Sequence, residues 1–170
     1  MAPRPKRAPG DDPLRIPAGR KMRRFQHSLP MALLRAREAV MAYFRPLHRE
    51  RGVTEQQWRV IRALREGPPI DITTLAERTF LLMPSLSRIL RQLARRGLVA
   101  RQTQSADHRR AIISLTRAGR AMIDKGSRRS EDQYADITRR FGAPRLRTLY
   151  ALLAELEKSL QRPRSPRKRS

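Results

Sequence analysis

This 170-residue sequence lacks several common sequence features, and each absence excludes a class of protein or of site. It has no cysteine, which excludes disulfide bonds, thiolate metal sites and cysteine-based redox sensing. No apolar run approaches the roughly 18 residues that a membrane-spanning helix requires. No apolar segment follows the basic N-terminus, as one would in a secretory signal. We therefore expect a cytoplasmic chain with no membrane partner.

Aromatic and acidic residues are also scarce. Aromatic residues make up 5% of the chain, which argues against a surface that binds nucleic-acid bases by stacking. The 15 acidic residues face 39 Lys and Arg, for a formal net charge of +24. Such an excess favours a polyanionic partner, and nucleic acid is the usual one.

The positive charge is concentrated at the two ends but is not confined to them. Residues 1–24 and 162–170 hold 13 of the 39 basic and two of the 15 acidic residues, so residues 25–161 retain 26 basic against 13 acidic. Both ends lack apolar periodicity and are predicted to be disordered basic tails. The tails either add sequence-independent attraction to phosphate or are solvated termini without a role.

Patterns of enzyme chemistry are absent from the sequence. The histidines at 27, 48 and 108 are widely separated and lack metal-ligand spacing. No glycine-rich loop or nucleophile elbow occurs. Glu131 and Asp132 are adjacent, so on a helix they face different directions. We expect no enzymatic activity, no cofactor and no metal.

Apolar spacing predicts helices over most of residues 25–161. The predicted helices run from Ser28 to about Arg51 with Pro46 as a candidate bend, from Thr54 to Gly67, over 72–79, over 84–96, from Thr116 to about Phe141, and over 144–161. Ser28, Asp71 and Thr116 are the predicted N-caps, and Thr54 with Gln57 forms a capping box. The leucines of the last helix follow a spacing close to a coiled-coil seam.

Two short helices followed by a hairpin occupy the centre of the chain. The helices over 72–79 and 84–96 are separated by a few residues, which is typical of a helix-turn-helix. Residues 98–103 and 111–115 are predicted to pair as a β-hairpin. The expected fold is mainly α with a small β-hairpin wing, a winged helix-turn-helix joined to a helical dimerisation domain.

The second helix of the pair has a polar and basic outer face. Its apolar residues Leu86, Ile89, Leu90 and Leu93 form one stripe, which leaves Ser85, Ser87, Arg88, Arg91, Gln92 and Arg95 on the free surface. Arginines on such a face bind guanine edges or clamp phosphates, and short hydroxyls reach either. The alternative is an ordinary solvated helix face.

The segment "DHRRAIISLT" at 107–116 places two arginines at the predicted hairpin tip. If the hairpin is a wing, Arg109 is positioned to enter a minor groove, with Arg110 beside it. Asp107 then holds the guanidinium of Arg109 in one rotamer. The alternative is a hairpin turn with a surface ion pair, which contributes little to stability.

These segments together resemble the MarR family of winged-helix transcription factors. The resemblance rests on "TEQQWRVIRAL", "LAERTFLLMPSLSRILRQLARRGLV", "DHRRAIISLT" and "LTRAGRAM", in family order, and covers about His27 to Leu160. Within the family, "LLRAREAVMAYFRPL", "TEQQW" and "MPSLSRIL" are similar to regulators of homoprotocatechuate degradation. Regulators of nicotinate and other aromatic-acid catabolism share much of this pattern.

The resemblance implies a homodimer that binds a pseudo-palindromic operator on double-stranded DNA. Residues 25–52 and 117–161 would form the helical dimerisation region, and 53–116 the DNA-binding winged helix-turn-helix. Asp107 and Arg109 fall on the family's wing motif, and Ser85, Ser87 and Arg88 on the start of its recognition helix. Family members commonly bind a small aromatic acid between these two regions.

Candidate effector-binding residues lie in the first two helices. By helical geometry Arg37 lies within an apolar arc, and a buried arginine requires an anion. That anion is either a ligand carboxylate or an acidic side chain of the partner subunit. Trp58 either stacks on an aromatic ring or is a core tryptophan. His27 and Ser28 are candidates to bind a polar substituent, and His48 is expected at the surface.

We therefore interpret the chain as a dimeric repressor that a small aromatic carboxylic acid, of phenolic or hydroxynicotinate type, releases from its operator. The protein would then be cytoplasmic and associated with the nucleoid. One alternative is a non-specific architectural nucleic-acid-binding protein, which the high charge would suit. A second alternative is a basic enzyme or carrier of small molecules.

Overall fold

Residues 25–104 and 107–161 are described by the structure, a computed structural model. Six helices and three strands account for most of them, which confirms the predicted mainly α fold with a hairpin wing. A 3-10 turn, Phe25–His27, precedes the elements α1 (Leu29–Glu50), α2 (Glu55–Arg65), β1 (Ile70–Asp71), α3 (Ile72–Thr79), α4 (Met83–Arg95), β2 (Val99–Gln104), β3 (Asp107–Leu115), α5 (Arg117–Phe141) and α6 (Ala143–Leu160). Both predicted tails lie outside the described residues. None of the described helices is long and apolar enough to cross a membrane.

Three of the predicted helix starts have the side-chain caps expected of them. The Gln57 side chain accepts from the Thr54 N–H at 3.0 Å, and the Thr54 hydroxyl accepts from the Gln57 N–H at 3.1 Å. The Asp71 carboxylate accepts from the N–H groups of Thr73 and Thr74. Thr116 accepts from the Gly119 N–H at 3.1 Å. Each cap satisfies N–H groups that the first helical turn leaves without partners.

The fourth predicted cap, Ser28, lies at the N-cap position of α1, but the prediction that its side chain caps the helix is wrong. Its hydroxyl makes no cap hydrogen bond and instead donates to the Phe25 carbonyl at 2.8 Å. Pro30 stands at the second helical position and lacks the N–H that a cap would bind. Farther along, α1 contains Pro46 and continues to Glu50.

A three-stranded antiparallel sheet holds the hairpin, with strand order β1-β3-β2. The register pairs Val99 with Leu115 and Thr103 with Ala111, which confirms the predicted hairpin. The predicted start of the second strand at 111 is wrong, because β3 begins at Asp107, opposite Gln104. The sequence patterns also missed β1, whose two residues pair with β3 and are too few to show an alternating pattern.

The chain divides into two compact units, Met1–Trp58 and Arg59–Ser170. In the second unit an apolar core joins the inner faces of α2, α3, α4 and the sheet. Its members with the least exposure are Val60, Ile61, Leu75, Leu86, Leu93 and Ile113. This division groups α5 and α6 with the winged helix. The predicted dimerisation region, which joins them to α1, involves a second copy of the chain and stays a prediction.

Two long helices bury little of their apolar surface in the single chain. No residue of α6 is buried, and only Phe44, Leu47 and His48 are buried in α1. The exposed large apolar residues of these helices are Leu29, Leu33, Leu34 and Val40 on α1, and Leu149, Tyr150, Leu152, Leu153 and Leu160 on α6. The described residues of one chain therefore leave these faces uncovered.

Candidate DNA-binding surface and effector region

The α4 helix presents one apolar and one basic side, as its sequence predicts. Leu86, Ile89, Leu90 and Leu93 are all buried, which confirms the predicted stripe. The side chains of Arg88 and Arg91 are exposed, and Ser85 and Ser87 are half-buried beside the core. The helix contains no acidic residue. A face with this composition attracts anions.

The two N-termini of the helix-turn-helix differ in how they are capped. Asp71 caps α3 with its carboxylate, and these hydrogen bonds, first of all that from the Thr74 hydroxyl, lower the pKa of Asp71. At α4, Leu82 occupies the N-cap position and supplies no side-chain hydrogen bond. Uncapped N–H groups and the helix dipole at such a terminus favour a phosphate or another anion.

The structure describes the backbone of the wing strand β3 along its whole length, and its side chains from Ala111 onward. Asp107, Arg109 and Arg110 lie on β3, while their side chains lie outside the described residues. The predicted contact of Asp107 with Arg109, and the insertion of Arg109 into a groove, therefore stay predictions. Closer to the core, Ala111, Ile113 and Leu115 are buried and anchor β3.

A shallow cleft brings two of the predicted DNA-binding residues together with a third residue that the sequence analysis missed. Ser87 and Arg91 of α4 line it together with Arg101 of β2, and apolar side chains that include Ile72, Val99 and Ile113 complete its wall. Arg101 was missed because only the strand register, which places it opposite Ile113, brings it beside α4. The cleft extends the basic surface of α4 onto the hairpin.

In the first unit, Arg37 belongs to a network of four charges. Its guanidinium contacts the carboxylates of Glu38, at 2.8 Å, and of Glu55. Arg45 contacts the same two carboxylates and lies 3.8 Å from Glu55. The hydrogen bond from Arg45 is the main cause that lowers the pKa of Glu38, and Arg37 adds to it.

The predicted burial of Arg37 is not seen in the single chain, and its burial in a dimer stays a prediction. Its side chain is 42% exposed, because Leu33, Leu34 and Val40 around it are themselves exposed in the single chain. Within the described residues its anionic partners are Glu38 and, at the start of α2, Glu55. The ligand carboxylate and the acid of a partner subunit stay predictions. Helical spacing shows which residues share a face of α1. It gives no signal for a contact 18 positions away, so Glu55 was missed.

Trp58 lies half-buried between a histidine and an arginine. The His48 ring lies 5.7 Å from it between centroids, and the Arg51 guanidinium lies over it at 4.4 Å. The expectation that His48 is a surface residue is wrong, since only 4% of it is exposed. Its place one turn after Phe44 and beside Leu47, both buried, was the available signal. Burial, followed by the charge of Arg51, lowers the pKa of His48.

His27 and Ser28 lie at the start of α1, His27 in the 3-10 turn and Ser28 at the N-cap position. Both are half-buried. The described residues contain no cluster of three histidine, aspartate or glutamate side chains able to hold a metal ion. The four candidate effector residues thus share one unit of the chain.

Comparison with known proteins identifies the family. The profile of the MarR family matches residues 51–111. The homoprotocatechuate degradative operon repressor of Escherichia coli is 44% identical over 128 residues, which are 75% of this chain and 86% of the repressor. The E. coli protein is a repressor, and HTH-type transcriptional regulator FarR of Neisseria gonorrhoeae is 38% identical over 77% of this chain and 90% of FarR. These relatives confirm the prediction of a non-enzymatic regulator.

Solved structures agree with the sequence comparison. NadR in complex with 4-hydroxyphenylacetate superposes with a TM-score of 0.71 at 36% identity, covering 77% of this chain and 96% of NadR. The repressor CouR, bound to a 23-mer DNA duplex, superposes with a TM-score of 0.70 at 26% identity, covering 81% of this chain and 99% of CouR. The exposed basic face of α4, the hairpin wing and these similarities lead to one conclusion: the chain belongs to the MarR family of transcriptional regulators.

Proposed function

We propose that this protein is a homodimeric repressor that binds a pseudo-palindromic operator and leaves it when a small aromatic carboxylic acid binds. The observation that carries the DNA-binding part is the outer face of α4. That face bears Arg88 and Arg91, lacks acidic residues and follows an uncapped N-terminus. In a helix-turn-helix, such a face enters the major groove, where arginine reads guanine and backbone N–H groups bind phosphate.

Support for the homodimer comes from the exposed apolar faces of α1 and α6. Large contiguous apolar surfaces are rare on monomers and mark interaction sites. A second copy of the chain supplies the same two faces, as a two-fold interface requires. Two winged helices related by such an axis would meet successive major grooves on one side of a duplex, and hence a pseudo-palindrome.

Support for an aromatic acid as effector comes from the neighbourhood of Arg37. Its partner Glu55 precedes Trp58 by one helical turn of α2, so the carboxylate that Arg37 contacts lies near an aromatic ring. A ligand carboxylate would replace Glu55 as the anion held by Arg37, bidentately if it lies in the guanidinium plane. The complex of NadR with 4-hydroxyphenylacetate is a precedent within the same family.

The proposed release mechanism is a shift of population. The unliganded dimer samples arrangements in which the two α4 helices fit successive grooves and arrangements in which they do not. A ligand releases DNA only if it binds the misfitting arrangement more tightly. If a ligand carboxylate replaced Glu55 as the partner of Arg37, this contact between α1 and the start of α2 would be lost. The two arrangements would then differ in their affinity for the ligand.

The effector proposal is tested with Arg37→Met, which keeps an apolar stem and removes the charge. Operator binding should stay within about threefold of the wild type. Release by hydroxyphenylacetate-type or hydroxynicotinate-type acids should be lost, while their amides should release neither protein. Because the Arg37 side chain is 42% exposed and its ion pairs are in contact with solvent, the free energy of unfolding should fall by less than about 1 kcal/mol.

Arg45→Met is the matched control, since it removes the other cation of the same network. It should unfold much like Arg37→Met and still respond to the acid in an operator-release titration. A normal ligand response in Arg37→Met would contradict the role given to this arginine. Equal loss in both variants would assign the response to the network as a whole.

The main competing function is a non-specific architectural DNA-binding protein, which the net charge of +24 favours. Such binding would come from phosphate contacts alone and would fall steeply with salt for every sequence equally. A repressor keeps its operator in the presence of random competitor DNA at an excess that removes an architectural protein. Competition binding therefore separates the two functions.

A further inference from the structure

Three large apolar side chains project from the turn that leads into α4. Phe80 is 83% exposed, Leu82 is 78% exposed and Met83 is 42% exposed. We call these three residues the apolar tip. Among the described residues of 59–116 they are the only exposed large hydrophobic side chains. The core positions on either side, such as Leu75 and Leu86, are fully buried, so the tip is not a part of the core.

Folding of the turn does not require these side chains. Phe80 has a left-handed backbone, with φ of 52°, at the C-terminus of α3, a position where glycine or asparagine is favoured. Leu82 is the N-cap residue of α4 and makes no side-chain cap, whereas serine or aspartate would make one. At both positions the observed residue is less favourable for the fold than a common alternative, and burial provides no compensation.

The surroundings of the apolar tip restrict what can cover it. Residues 72–96 contain five arginines and a single acidic residue, Glu77, which favours an anionic partner. Ser85 and Ser87 follow the tip within the next turn of α4, and hydroxyl groups are unfavourable in hydrocarbon but bind base edges. An anionic surface with both hydrogen-bonding groups and small apolar groups fits the major groove of DNA better than a lipid membrane.

We propose that the apolar tip reads thymine through its C5 methyl group. This methyl is the apolar group on the base edges of the major groove, and apolar side chains contact it. The inference rests on the proposed function, because it requires that α4 enter the major groove. It extends that function by assigning part of the sequence preference to Phe80, Leu82 and Met83, beside the hydrogen bonds expected from Ser85, Arg88 and Arg91.

The test uses the tightest-binding duplex that the full-length protein selects from a library of random 24-base-pair sequences. Each thymine is then replaced singly by deoxyuridine, which removes the methyl and keeps the base pair. At one or two positions in each half-site, the Kd of the wild type should rise about fourfold, the value of one buried methyl group. Other thymines should show no change.

Variants of the tip identify the side chain that senses the methyl. Leu82→Ala should bind the thymine duplex about as weakly as the wild type binds the deoxyuridine duplex, and should no longer distinguish the two. Leu82→Met keeps an apolar chain of similar length and should keep the distinction. Phe80→Ala and Met83→Ala show whether their side chains share the contact. Arg88→Ala is the matched control, which should lower the affinity for both duplexes and keep their ratio.

The outcomes separate this inference from the function on which it rests. If the protein selects no sequence from the library, the proposed function fails. If it selects a sequence and the wild type is indifferent to deoxyuridine at every position, only the thymine proposal is overturned. A deoxyuridine effect that persists in all three alanine variants would arise in the duplex and would also overturn the thymine proposal. The proposal would likewise be overturned if these variants lost binding to anionic phospholipid vesicles while their DNA binding stayed unchanged.

Discussion

Two helices with leucines at helical spacing, α4 and α6, differ in what covers them. The 13-residue α4 buries four apolar side chains against its own chain, while the 18-residue α6 buries none. An amphipathic pattern predicts which face of a helix is buried, but it does not predict what packs against that face. For α4 it is the core of the second unit, and for α6 we propose a second copy of the chain.

The strongest challenge to this comparison is a charge on the exposed face of α6. Leu153→Glu would bury an unpaired carboxylate in the proposed interface, which destabilises association by roughly 3–5 kcal/mol. The variant should therefore sediment as a monomer at concentrations where the wild type is a dimer. Ala151→Glu places the same charge on the opposite side of α6 and should leave the dimer intact. A dimeric Leu153→Glu protein would show that α6 faces solvent or another partner.

Truncation of a core residue of α4 tests the other half of the comparison. Leu93 is fully buried, so Leu93→Ala should lower the free energy of unfolding by about 2–5 kcal/mol. Leu153→Ala should weaken the association of two chains. Its effect on the unfolding midpoint should therefore depend on protein concentration more strongly than the effect of Leu93→Ala. Chemical denaturation at two concentrations measures both. Similar, concentration-independent losses in the two variants would remove the distinction between these helices.

The wing offers a smaller effect, on DNA binding alone. Arg109→Ala should weaken binding to the selected duplex by about 1–3 kcal/mol, as expected for one groove contact. Asp107→Ala should weaken it less, through lost positioning. Arg128→Ala removes an equal charge from the exposed surface of α5 and should have little effect. Wild-type affinity of Arg109→Ala in gel shifts, with unchanged thermal unfolding, would exclude the wing from the interface.

The smallest expected effect concerns the side-chain cap of α3, which α4 lacks. Asp71→Ala should lower the free energy of unfolding by about 1 kcal/mol at pH 7. Hydrogen bonds lower the folded-state pKa of Asp71 below its ordinary value of 3.8, so its stabilisation is present above that value and is lost as the pH falls through the folded-state pKa. The difference from the wild type should therefore shrink below pH 3.8.

Asp71→Asn is the control for this measurement. It retains a side-chain oxygen for the Thr73 and Thr74 N–H groups and has no titratable carboxyl, so it should lose the pH dependence and keep most of the cap. A constant difference between Asp71→Ala and the wild type from pH 7 to pH 2.5 would show that the carboxylate form contributes nothing specific.

Local patterns in the sequence predicted the buried face of α4 and most helix N-caps well. The buried stripe of α4, the Thr54–Gln57 capping box and the caps at Asp71 and Thr116 each depend on residues within four positions of one another. Such interactions are determined by helix geometry. The hairpin was predicted from the β-forming residues of 98–103 and 111–115, and the observed register pairs Val99 with Leu115.

Contacts between distant segments were the part that sequence patterns did not predict. The pairing of Arg37 with Glu55 depends on how α1 meets the start of α2, and the burial of His48 depends on Trp58 and Arg51. The two-residue strand β1 exists because β3 is available to pair with it. Patterns of helical spacing identify a face, whereas the partner of that face is a property of the tertiary structure.

Competition binding on the selected duplex, with the mass of the complex measured in the same solution, shows whether the protein is a sequence-specific dimer. A homodimeric repressor should place two protein chains on each duplex and stay bound in an excess of random DNA that strips it from unrelated sequences. Displacement by random DNA in proportion to its concentration, with a variable number of chains per duplex, would instead identify a non-specific architectural protein.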